Sequence, residues 1–180
     1  MPTICQGRLE IAGSKESLRA FKEFAWGEDL LDAQKFITLE NRKEKEARNH
    51  WGTTLLGFCE PYIEEEMDTS LIYGFHTQNT PALPVVNQMG VQFSALGFRY
   101  DYWEPQMAFI GYLVMNHGVV NEEFFEYKSC PFWLFKRLKV NWAHSRKVVE
   151  SGKGSRMENV PPYVLWDDIP DGILEGAEKS

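Results

Sequence analysis

From Cys5 to Ile11 the chain alternates. Cys5, Gly7, Leu9 and Ile11 share one face, and Gln6, Arg8 and Glu10 the other. A period of two marks a strand buried on one side. Gly13-Ser14 interrupts it, and Ser14 is suited to cap a helix, because its hydroxyl can accept from a free N–H of the first turn. Leu18, Phe21, Phe24 and Ala25 follow at helical spacing, which predicts an amphipathic helix over 15–26. Phe36, Ile37 and Leu39 are compatible with a short strand. The charged run from Asn41 to Asn49 suits either a solvated helix with Glu–Lys pairing or a loop.

After Thr53 the pattern turns to β. Segments 53–66 and 69–77 flank Met67-Asp68 as a hairpin. Thr80-Pro81 reads as an N-cap with proline at the first helical position. Leu83, Val86 and Met89 continue an apolar stripe to Gly90, so a helix is expected over 81–89. Two strands follow at 93–103 and 107–115, joined at Glu104-Pro105, and His117-Gly118 ends the second. The order is β, α, β, β, α, β, β. That predicts an α+β fold, a ferredoxin-like antiparallel sheet of four or five strands with both helices on one face. Leu9, Ile11, Leu18, Phe21, Phe98 and Phe109 are the expected core.

Beyond residue 120 the composition shifts. Phe124, Phe125, Tyr127, Phe132, Trp133, Phe135 and Trp142 crowd together with Lys136, Arg137, Lys139, Arg146 and Lys147. Pro131 is placed to open a helix over 132–149, Ser151 to Ser155 reads as a linker, and an acidic, proline-containing tail follows. The expected organisation is a domain over 1–120 and a C-terminal extension over 121–180 that packs on or beside it.

Charge is distributed unevenly. Residues 49–127 carry ten acidic side chains and one basic one, Arg99, a balance of −9 within a chain whose net charge is −7. A field of one sign repels nucleic acid and attracts basic partners. Its densest part is Glu60, Glu64, Glu65, Glu66 and Asp68, the candidate partner-binding face; a plain solvated surface is the alternative. Phe93, Tyr100, Tyr102, Trp103, Phe109 and Tyr112 raise a nucleic-acid question, since RNA-binding sheets stack bases on exposed rings amid basic residues. Tyr100, Tyr102 and Trp103, with Lys136, Arg137 and Lys139, are the candidate site under that second reading. A packed core is the competing role for the rings.

The remaining chemistry is sparse. Cys5, Cys59 and Cys130 form no CxxC pair, and His50, His76, His117 and His144 are scattered, so no metal site, no cofactor and no iron–sulfur cluster is expected. Neither a G-x-S-x-G nor a P-loop motif is present. A catalytic residue is not assigned, and a non-enzymatic protein is favoured over an enzyme. No apolar run approaches the ~20 residues of a membrane span. The opening MPTICQGRLE lacks the basic-then-apolar pattern of a signal peptide, so a cytoplasmic location is expected.

Four blocks in order carry a resemblance: CQGRLEIAGSKESLRAF from Cys5, HWGTTLLG from His50, YGFHTQNTPALPVVNQM from Tyr73 and FRYDYWEPQMAFIG from Phe98. Together they resemble the Api92-like (YubB-type) ferredoxin-like domain family of plasmids and phages, DUF1281, over roughly residues 4–118. The resemblance implies a ferredoxin-like fold and an origin in a mobile genetic element, in a bacterial host cell. It implies no reaction and supplies no catalytic residues. The expectation that follows is an interaction protein that engages a host protein with a basic surface. A nucleic-acid-binding or anti-defence target would be met by an acidic face that mimics a polyanion. RNA or single-stranded DNA binding is the alternative.

Overall fold

The computed structural model describes residues 2–131 and residue 134. Among them are β1 (Ile4–Ala12), α1 (Lys15–Ala25), α2 (Glu44–His50), β2 (Cys59–Glu66), β3 (Ser70–Gln78), α3 (Leu83–Gln92), β4 (Gly97–Glu104), β5 (Phe109–Asn116) and β6 (Val119–Glu126). Short 3-10 turns lie at Ala33–Lys35 and Tyr127–Ser129. The strands form one antiparallel sheet in the order β2-β3-β1-β4-β5-β6. The chain is thus α+β, with an open six-stranded sheet.

The register explains the alternation in β1. Leu9 lies opposite Tyr73 on β3 and Tyr100 on β4; Ile11 lies opposite Leu71 and Phe98. Directly paired residues point to the same side of a sheet, so these six form one apolar face, and all six are buried. Gly7 belongs to this face. A Cβ there would stand 2.7 Å from the Phe75 ring and 2.9 Å from the Tyr100 ring, and only glycine leaves those rings their space.

Helix α1 lays its stripe on that face. The Ser14 hydroxyl accepts from the Ser17 amide and starts the helix, and Leu18, Phe21 and Ala25 are buried. The Phe21 ring lies 6.4 Å from Tyr73, 5.7 Å from Phe98, 5.8 Å from Phe36 and 5.1 Å from Phe93. Phe93 closes α3 and touches Phe24 as well, so α1 and α3 cover the same side of the sheet. The opposite side presents Gln6, Arg8 and Glu10 of β1 with their cross-strand partners.

Several boundaries differ from the sequence reading. Helix α3 begins at Leu83 with Pro84 in its first turn, rather than at Pro81, and runs through Gly90 to Gln92. Thr80 does not cap it; its hydroxyl donates to the Gly52 carbonyl. Residues 53–58 are not strand, and the first hairpin arm starts at Cys59. Phe36 and Leu39 are buried core side chains beside a 3-10 turn, not a strand. The charged run resolves into α2, with Glu44 and Arg48 paired at 3.0 Å one turn apart. The strand expected from residue 93 starts at Gly97. Phe109 is half-buried rather than buried. A sixth strand, β6, joins β5 through His117-Gly118, whose φ angles of 47° and 80° are those of a tight two-residue hairpin turn.

The chain divides into two compact units, residues 1–104 with 111–123, and residues 105–110 with 124 onward. The first contains the core just described. In the second, the Phe109 and Phe124 rings lie 5.3 Å apart and the Tyr127 amide donates to the Ala108 carbonyl. The helix expected over 132–149, the linker and the acidic tail fall outside the described residues, apart from Leu134.

Candidate functional site

The five acidic residues do not form one free face. Strand β2 is an edge of the sheet, and register breaks between Cys59 and Tyr62 and between Ile63 and Glu65 turn its side chains in different directions. Glu64 faces the helix-free side, where it accepts from Arg8 at 2.9 Å. Glu66 faces the helix side and meets Lys22 of α1 at 2.7 Å. Asp68, in the turn, meets Lys15 at 2.9 Å. Glu60 is exposed, 3.9 Å from His76, and Glu65 is exposed. Three of the five are therefore matched locally by cations of β1 and α1. The pairs are solvent-exposed and worth ~1 kcal/mol or less each, so an incoming charge can exchange with them.

Two of these pairs frame a groove. Lys15, Arg19, Lys22 and Glu23 of α1 form one wall, and Glu66 at the end of β2 with Met67 and Asp68 of the turn form the other. Leu18 and Leu71 make the floor, Trp26 stands at one end, and the volume is about 460 Å³. Trp26 is 57% exposed and Met67 55%. Large apolar side chains left in water beside a concave apolar floor are the composition of interface hot spots. Sequence reasoning missed this place. The available signal was that Trp26 falls off the stripe of Leu18, Phe21 and Ala25, which leaves an indole at the end of α1 with no core to enter.

A second cavity, of about 360 Å³, lies among Glu28, Asp29, Asp32, Arg42, Trp51 and Leu56. Asp32 there accepts from the amides of Glu28 and Gln34, the Trp51 indole donates to the Ile37 carbonyl, and Arg42 pairs with Glu28 at 3.4 Å.

The rings of the alternative site are buried. Tyr100 is fully enclosed, Tyr102 is 1% exposed, and both belong to the helix-facing side; Trp103 lies on the other side and is also buried. Burial drives the Tyr100 hydroxyl well above its ordinary value. An enclosed ring offers no surface on which a base can stack. Lys136, Arg137 and Lys139 lie outside the described residues.

The helix-free side carries a ladder of charges instead. Arg8 lies opposite Asp101, and Glu10 opposite Arg99. Arg99 holds the fully buried Asp101 carboxylate at 2.8 Å and sits 4.9 Å from the centre of the Tyr112 ring. Burial, together with a hydrogen bond to Glu123, raises Tyr112. Alternating signs across neighbouring strands make this a structural network, in which the buried Asp101 carboxylate is offset by Arg99 and the outer members Arg8 and Glu10 pair nearer solvent.

The thiols are free and poorly placed for nucleophilic work. Burial raises Cys5 strongly and Cys130 to about 12, and burial with the Glu60 charge raises Cys59, so thiolate is scarce near neutrality. Among the described residues no three His, Cys, Asp or Glu side chains converge as metal ligands, and no helix is long and apolar enough to cross a membrane.

Compared with protein-family models, curated proteins and solved structures, the chain gives no match.

Proposed function

We propose that the protein is a non-enzymatic interaction protein that binds a partner protein through the groove between α1 and the β2–β3 turn. The observation that carries the proposal is the exposure of Trp26 and Met67 over an apolar floor, at the point where Glu66 and Asp68 reach α1. The partner that fits presents an apolar side chain flanked by lysine or arginine. The apolar group enters above Leu18 and Leu71, and the basic groups compete with Lys15 and Lys22 for Asp68 and Glu66. The acidic middle of the chain steers such a surface inward, a long-range effect that salt screens.

The ferredoxin-like fold is part of the same reading. It is supported by the order β2-β3-β1-β4, with helices after β1 and after β3. Strands β5 and β6 extend that unit on one side. An origin in a plasmid or phage, and a host nucleic-acid-binding or defence complex as the target, rest on the resemblance of the four sequence blocks alone.

The test is capture from bacterial lysate by the full chain and by Trp26→Ala/Met67→Ala, with thermal melts to verify folding. The expected result is a captured protein with a basic surface, lost from the double variant and weakened between 0.1 and 0.5 M salt. Equal capture by both proteins, or capture insensitive to salt, overturns the proposal.

A further inference from the structure

The two edges of the sheet are built differently. An edge strand exposes a row of unpaired N–H and C=O groups, which natural sheets blunt with proline, register breaks and charge. Both edges carry glutamates, and β2 adds Pro61 and two irregularities in its pairing with the neighbouring strand β3. Strand β6, the other edge among the described residues, contains no proline, and its part within the first unit, residues 119–123, is Val-Val-Asn-Glu-Glu. All five side chains are exposed, with Val119 at 71% and Val120 at 52%. β-branched residues favour the extended backbone, so this stretch is held ready for another strand while its own side chains stay largely in water.

We infer that residues 119–123 of β6 accept an extended basic segment of a partner protein by strand addition. Backbone hydrogen bonds along the open edge supply affinity, and alternate side chains supply selectivity. The occupant is chosen by charge. Glu122 and Glu123 adjoin the pairing edge with no lysine or arginine on β6 to offset them. A second copy of this chain would bring its own Glu122 and Glu123 to the same seam, whereas lysine or arginine at alternate positions of a partner strand share one face, where they meet Glu122 favourably. The intervening valines lie on the other face, where they cover Val119. This surface is separate from the α1 groove, and its occupation does not require the groove.

The experiment uses the full chain and, as probe, a capped seven-residue peptide alternating lysine with valine, with a glutamate–valine peptide of the same length as control. Binding is read by hydrogen–deuterium exchange of β6 and by titration. The expected result is protection of amides within 119–123 by the lysine peptide and not by the glutamate peptide. Glu122→Lys/Glu123→Lys should weaken that binding about tenfold, roughly 1.4 kcal/mol, while Trp26→Ala leaves it unchanged. Since Glu123 also touches Tyr112, the single variant Glu122→Lys is measured beside it and should lower affinity in the same direction. Absence of protection on the full chain, equal protection by both peptides, or a dimer in sedimentation that protects 119–123 without any peptide overturns the inference. Loss of lysate capture in Trp26→Ala/Met67→Ala with intact peptide binding separates this edge from the groove.

Discussion

Lys22 of α1 donates to both carboxylate oxygens of Glu66 of β2, at 2.9 and 2.7 Å. The pair joins the helix layer to the sheet edge across 44 residues of sequence, and it places a carboxylate on the lip of the groove. Reversing the charge at one end should cost up to ~1 kcal/mol, since both groups are solvated. Lys22→Glu and Glu66→Lys are each expected to lower stability in urea melts, and the double variant Lys22→Glu/Glu66→Lys to recover most of the loss. An additive double variant would show that the contact is not energetically coupled.

Phe21 is the centre of the apolar layer, in ring contact with Phe36, Tyr73, Phe93 and Phe98. Phe21→Ala removes a buried ring and leaves a cavity that these rigid neighbours fill only in part. A loss of ~3–5 kcal/mol is expected in denaturant melts. A loss below about 1 kcal/mol would place the core elsewhere.

Gly7→Ala tests the opposite error. The added methyl meets Phe75 and Tyr100 well inside contact distance, and both rings are packed on the same sheet face. Overpacking of this kind costs ~1–3 kcal/mol. The matching measurement is a thermal melt of Gly7→Ala against the natural chain, with no change in helix content by circular dichroism.

Glu44 gives a pH dependence with a definite sign. The Leu55 amide and then the Arg48 side chain hold its carboxyl below the usual 4.5. A carboxylate with a lowered folded value stabilises the protein above its unfolded value and loses that contribution as pH falls through the folded one. The natural chain should therefore melt above Glu44→Gln at pH 7, and the two should converge as pH falls through the lowered folded value.

Cys5 is enclosed between β3 and β4 and its thiol is raised by burial and then by Glu104. Alkylation at pH 8 should label Cys59 in the folded protein and reach Cys5 only when the chain unfolds, as read by mass spectrometry across a urea series. Labelling of Cys5 at the rate of a free thiol would contradict its position.

Local pattern was sufficient where one element decides its own geometry. The alternation from Cys5 to Ile11 identified β1 and its buried face, because a period of two has one solution beside an apolar layer. Ser14 and the spacing of Leu18, Phe21 and Ala25 placed α1 within a residue. The start of α3 was not legible, since Pro81 and Pro84 both suit a first turn and the choice rests on Thr80 being drawn to Gly52. Strand β6 left no period to detect, because all but one of its side chains are exposed and only its pairing with β5 makes it a strand. The acidic run was read correctly as charge and incompletely as surface. Whether Glu64 meets Arg8, and Glu66 meets Lys22, depends on the register breaks in β2 and on where α1 crosses the sheet. Ion pairing and exposure are properties of distance in space, and the groove beneath Trp26 exists only once the helix and the hairpin have packed.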